Sequence, residues 1–187
     1  MPTTTLVLIA VLALLVFWGV GAHNRLIRLR NGIASAFSPI EVQLKRRHEL
    51  IADLVEAAKK HLRHEQDLVE AVTAARNQAQ AAAEALRRRP TSARAVALLT
   101  NARQVLDGDL HNLFEAVRAY PALRADIVIG GLSQDISDTD KKMNFALQAY
   151  NDAVRHYNHA QWQFPALLLA TLFGFKPAAM LQTTEAP

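Results

Sequence analysis

His48-Glu49-Leu50-Ile51-Ala52 opens like the helical zinc-protease motif His-Glu-x-x-His, in which two imidazoles one turn apart hold the metal and the glutamate serves as general base. Ala52 stands where the second histidine belongs, so that chemistry is rejected. His61 with His64, and His156 with His159, are pairs three residues apart, a spacing that puts two rings on one helical face. Neither pair has a carboxylate or cysteine at metal-ligand spacing, and solvated or hydrogen-bonded histidines explain both more simply. Asp135, Asp138 and Asp140 lack the glycine and terminal glutamate of a calcium loop and fit better as caps at the positive end of a helix that begins after them. No Ser, His and Asp set has a nucleophile-elbow context, and Gly130-Gly131 alone makes no phosphate cradle. The expectation is a protein that is not an enzyme, with no catalytic residue, metal, cofactor or small-molecule substrate implied.

One polar pattern does recur. Tyr150-Asn151 is followed seven residues later by Tyr157-Asn158, equivalent positions on one helical face. On an inward face the amides need partners, because an unpaired buried amide costs about 1 to 3 kcal/mol, and Arg28, Gln43 or Arg46 would supply donors. The expected role of Tyr150, Asn151, Tyr157 and Asn158 is a structural polar seam that fixes helix register, with ligand binding as the alternative.

The elements that must position these residues begin with Leu6 to Ala22, an uncharged apolar run. With Thr3 to Thr5 it reaches about 20 residues, enough at ~1.5 Å per residue to cross a ~30 Å hydrocarbon core. A cleaved signal peptide is the competing reading, since Gly19 to Ala22 are small, but the segment before the run has no Lys or Arg. Arg25, Arg28 and Arg30 follow it, so the positive-inside bias puts the N-terminus outside and the remainder in the cytoplasm. The absence of cysteine fits a cytosolic domain and excludes disulfides.

The net charge of +4 comes from this flank: Arg25 to Arg47 holds six basic residues against Glu41, whereas His48 to Pro187 holds 15 basic and 16 acidic. Arg25, Arg28 and Arg30 can each gain about 1 kcal/mol from anionic head groups. Lys45, Arg46 and Arg47 would sit roughly 33 Å further out on a straight helix, beyond the ~8 Å Debye length. No nucleic-acid-binding motif accompanies the cations, and aromatic residues do not interleave with them, so nucleic acid is not an expected partner.

Past the run, Leu26, Ile33, Phe37, Ile40, Leu44, Ile51, Leu54 and Ala58 form one helical stripe. Pro39 interrupts it, either as a kink or as a fresh start capped by Ser38, and the unbroken stripe favours a kink. A second helix is predicted over about 61–89. The third covers about 92–119, with Ser92 as N-cap and Tyr120-Pro121 as its end. A connector follows over 122–138, and Ser137 or Thr139 would cap a fourth helix running to about 162. The fold class is therefore all-α: an N-terminal transmembrane helix continuing into an antiparallel up-down-up-down four-helix bundle. The expected division is an anchor at 1–22, a bundle at 23–165, and an apolar C-terminal segment with a polar tail at 166–187. Four traverses return Trp162 to Phe175 to the bilayer. Trp162, Phe164, Leu168, Phe173 and Phe175 can rest in the interface or pack across the end of the bundle.

Asn24-Arg25-Leu26-Ile27-Arg28-Leu29-Arg30-Asn31, the run from Ile40 to Glu65, Glu115 with Ala119-Tyr120-Pro121-Ala122-Leu123, and Ala149 to Pro165 together resemble the LemA family of bacterial membrane proteins. The resemblance implies a single-pass inner-membrane protein, N-terminus outside, with a helical bundle and no established general activity. Ala52-Asp53 replaces a common Pro-Asn, and Pro39 and Gly130-Gly131-Leu132-Ser133 are unusual. The function expected is a membrane-anchored, non-enzymatic scaffold or accessory protein at the bilayer, binding another membrane protein or forming a homo-oligomer. Lys45, Arg46, Arg47, Arg87, Arg88 and Arg89 are the cations available for such contacts, with Asp135 to Asp140 as a complementary acidic cluster. The alternative is a metal-dependent enzyme or a ligand-sensing module that uses the bundle interior.

Overall fold

Alternating apolar and polar faces with few helix breakers dictate helices almost throughout. The computed structural model describes residues 3–59, 62, 65–164 and 166–182, and every regular element among them is helical. In chain order these are α1 (Thr3–Lys59), α2 (Gln66–Arg88), α3 (Ala93–Ala119), the one-turn α4 (Pro121–Arg124), α5 (Ile127–Trp162) and the short α6 (Ala166–Leu172).

α1 runs unbroken for 57 residues with Pro39 inside it. Proline forfeits one backbone hydrogen bond there, but Phe37 and Ile40 on either side are fully packed, and their burial holds the helix together. The alternative fresh start at Ser38 is not adopted. All eight stripe residues from Leu26 to Ala58 are buried. The first part of the same helix is different: its most apolar window has a mean hydropathy of 2.6 and no buried residue, which makes α1 long and apolar enough to cross a membrane.

Ser92 caps α3 as expected, its hydroxyl accepting the Ala95 N–H at 3.3 Å. The next connection departs from expectation. Asp126 accepts the N–H groups of Val128 and Ile129 at 2.8 and 3.3 Å and starts α5 there, well before Ser137 and Thr139. Gly130 and Gly131, assigned to a connector, lie within the helix. Each costs about 1 kcal/mol relative to alanine, and the Asp126 cap together with burial of Ile129 and Ile136 offsets that. Asp135, Asp138 and Asp140 are consequently mid-helix residues and cap nothing.

The core has α1 packed most extensively on α5, α2 on α3, and α1 on α2. Among the described residues α3 and α5 form no comparable interface, so the expected pairing of every sequential neighbour fails at this seam. A cavity of about 320 Å³ lies between them. α5 has 36 residues and α3 has 27, so α5 outruns its neighbour by roughly 14 Å at 1.5 Å per residue. Over that excess, Ala178 and Leu181 from the C-terminal tail complete the core alongside Phe37, Tyr150, Val154 and Tyr157.

α6 both packs and faces outward. Ala166 and Ala170 pack with Leu26 and Ala160, whereas Leu168 and Leu172 are exposed, as are Trp162, Phe164 and Phe173. Gly174, at φ 68°, then turns the chain, and the Phe175 N–H closes the helix end on the Ala170 carbonyl at 2.9 Å. Only a residue without Cβ takes that left-handed turn without cost.

Candidate functional site: a backbone clamp on α5

From Lys176 to Gln182 the chain lies antiparallel to α5, and the Tyr-Asn repeat holds it there. Asn158 donates Nδ2–H to the Ala178 carbonyl at 2.8 Å and accepts the Ala178 N–H on Oδ1 at 2.9 Å. Asn151 does the same to Leu181, at 2.8 and 3.0 Å. The match is one of rises. Seven helical residues advance about 10.5 Å, and three extended residues advance about 10 Å, so a heptad on α5 meets every third residue of the tail.

Three further side chains complete the clamp. The Tyr157 hydroxyl and Gln161 Nε2 both donate to the Lys176 carbonyl at 3.2 Å. The Tyr150 hydroxyl donates to the Pro90 carbonyl at 3.0 Å in the α2–α3 turn, with the Ala179 carbonyl at 3.4 Å. Both tyrosines are fully buried, and Phe37 meets the Tyr150 ring edge-on at a centroid distance of 6.1 Å. Burial pushes the Tyr150 phenol up to about 12 and raises Tyr157 as well, so both hydroxyls keep their protons and remain donors. Every one of these polar contacts to the tail falls on backbone atoms. Side-chain selection rests on Ala178 and Leu181, which are buried three residues apart, while Met180 points to solvent.

The seam of Tyr150, Asn151, Tyr157 and Asn158 thus faces the chain's own terminus, and the expected donors Arg28, Gln43 and Arg46 are not its partners. The sequence points to α1 for those partners because the tail contributes backbone atoms, at Lys176, Ala178 and Leu181, and not side chains. The available signal was the three-residue step Phe175, Ala178, Leu181, which complements a heptad.

Arg47, expected as a cation open to partners, is buried instead. Its Nη2 meets Asp107 Oδ1 at 2.6 Å and its Nε meets Asp140 Oδ1 at 2.8 Å, so it ties α1 to α3 and α5 across the open seam. Arg103 is buried beside them. Burial, opposed by Arg47, raises the Asp140 carboxyl, and burial, opposed by Asp107, lowers Arg103. Leu110, Phe114, Ile136 and Met143 give the adjoining cavity its apolar wall. The acidic cluster is thereby divided, since Asp138 faces outward to Lys141 at 2.9 Å and Gln134 at 3.1 Å while Asp140 serves the interior.

The other cations lie on the surface. Arg87 and Arg88 share Glu84 at 2.6 and 3.0 Å, Arg87 also reaches Glu41 at 3.4 Å, and Arg46 lies 3.8 Å from Glu49. Lys45 and Arg89 are exposed, as are Arg28 and Arg30, and Arg25 donates to Gln163 at 3.2 Å. His48 is buried, and burial with Arg47 and Arg76 nearby lowers it to about 4, so it stays neutral. Of the two histidine pairs, His156 and His159 are exposed on α5, and His61 and His64 lie outside the described residues. Among the described residues no group of three or more His, Cys, Asp or Glu side chains is arranged to hold a metal ion.

At the base of the bundle, rings from the two ends of the chain meet. Trp18 and Phe164 lie 5.4 Å apart between centroids, and His23 lies 4.6 Å from Phe173 and 5.5 Å from Phe175. The C-terminal aromatics thus lie against the end of the apolar run.

No curated protein matches the chain. A family model does, over residues 36–187, a stretch that starts beyond the apolar run and takes in the clamp and the tail it holds. The chain belongs to the LemA family.

Proposed function

We propose that this protein is a membrane-anchored, non-enzymatic scaffold whose helical bundle binds protein at the inner face of a bacterial plasma membrane, either another membrane protein or further copies of itself. The observation that carries this reading is the continuity of α1, which is at once an exposed apolar run long enough to span a bilayer and the central wall of the bundle core. Whatever the bundle binds is then held at the bilayer. Arg25, Arg28 and Arg30 favour an outside N-terminus and a cytoplasmic bundle. The outward face formed by Trp162, Phe164, Leu168 and Phe173 suits the lipid interface beside the anchor. Lys45, Arg46 and Arg89 are cations left on the surface for a partner.

The test is to express two differently tagged full-length copies together, extract them in mild detergent, and ask whether one tag recovers the other copy. Recovery supports assembly. A protein recovered alone, with no second copy and no membrane-protein partner after crosslinking in the native membrane, counts against the scaffold reading. A second reading, ligand sensing through the bundle interior, is favoured by the cavity between α3 and α5 and by the buried Arg47 that lines it. Binding of a small ligand there would be relayed to the anchor along α1.

A further inference from the structure

The bundle ends in a groove that is filled by a terminus. Phe37, Tyr150, Val154 and Tyr157 form its floor, and Asn151, Asn158 and Gln161 form a polar edge that reads backbone amides. This chemistry specifies its ligand: an extended segment with a small residue and an aliphatic residue three positions apart, whose N–H and C=O groups at both positions are free to pair. Little is asked of the residues between, since Ala179 and Met180 have no side-chain group able to hydrogen-bond strongly.

We propose that this groove is an interaction site for the C-terminal tail of a second copy, which replaces the groove's own tail and links neighbouring bundles by tail exchange. The proposal rests on the scaffold reading above and names the partner of that scaffold. Three features favour a second copy as occupant. Every copy carries the same complementary tail. Anchors in one bilayer hold all grooves at one height and orientation and confine them to two dimensions, which raises their effective concentration. The connection is also long enough: once α6 is released, residues 163–175 span up to about 40 Å in extended form, beyond the roughly 20 Å across a bundle two helices thick.

Exchange separates into two halves that distinct substitutions disable. A full-length Leu181→Asp copy keeps its groove and spoils its tail, and a full-length Asn151→Ala/Asn158→Ala copy keeps its tail and spoils its groove. Differently tagged and extracted together in mild detergent, the two are expected to co-purify as a pair, while each alone gives at least ten-fold less association. A fluorescent peptide of residues 174–187 is expected to bind the Leu181→Asp chain at least ten-fold more tightly than the native chain, whose own tail competes. The same peptide carrying Leu181→Asp is expected not to bind. Where the aspartate unfolds the chain, Leu181→Ala weakens the tail without placing a charge in the core, and the peptide must still bind that variant more tightly than native protein. Failure of the peptide to bind a folded tail variant overturns the proposal. So does co-purification of native copies that persists undiminished when both asparagines are replaced, an outcome that leaves the scaffold reading intact and moves the contact elsewhere.

Discussion

Replacing Asn158 by alanine isolates one rung of the clamp. The substitution removes both hydrogen bonds that Ala178 makes to it, at 2.8 and 2.9 Å, and leaves a buried residue's N–H and C=O without their partner. At about 1 kcal/mol net for each bond, tail docking weakens by about 2 kcal/mol, which is roughly 30-fold in the docking equilibrium. Amide hydrogen exchange reads this directly, because the N–H groups of Ala178 and Leu181 are held by the asparagine oxygens that accept them. Exchange at both amides is expected to accelerate roughly 30-fold, while the amide of Leu147 in the interior of α5 is unchanged. Leu181 is the informative position. It is held by the other asparagine, so its acceleration shows that the tail docks as a unit. Unchanged protection at Leu181 would refute the clamp as a cooperative device. Asn158→Asp sharpens the result: a carboxylate still accepts the Ala178 N–H but has no donor for the Ala178 carbonyl, and it is expected to be at least as damaging as alanine.

Arg47→Met leaves Asp107 and Asp140 sharing the seam with Arg103 alone and is expected to lower stability by about 3 kcal/mol in chemical denaturation; the double variant Arg47→Met/Asp140→Asn, which restores charge balance between Arg103 and Asp107, should recover most of it. His48 titrates at about 4 in the folded chain against 6.5 when exposed, so the unfolded state binds the extra proton between those values. Stability present above pH 6.5 should therefore fall by about 3 kcal/mol as pH drops to 4, and His48→Leu should flatten that part of the profile. Leu168→Asp, on the outward face of α6, should change stability by less than about 0.5 kcal/mol yet reduce quenching of Trp162 by brominated lipid, measured in a Trp18→Phe background.

Much of the fold was legible because one rule, a buried stripe on each helix, governs most of it. Leu26 to Ala58 recur on one face of α1 and are buried together, and Ser92 caps α3 by its side chain as its type suggests. The α3–α5 connection misled because two adjacent glycines weaken a helix locally, whereas the Asp126 cap and the burial of Ile129 act from outside that window. Arg47 misled for a related reason. In sequence it is one of three consecutive cations, and only the angular position on α1 separates it from exposed Lys45 and Arg46 and turns it toward two aspartates. At the clamp, the Tyr-Asn heptad marks four side chains that share one face of α5 and turn toward the tail. Their partner escaped because the tail offers backbone atoms, which every residue possesses and no sequence pattern marks.

An assembly at the membrane, as proposed, is read out by the native mass of the full-length protein in mild detergent. Discrete multiples of the 20.6 kDa chain, or a defined complex with a second membrane protein, are expected. A single 20.6 kDa species at every concentration, from membranes in which crosslinking captures no partner, would contradict it.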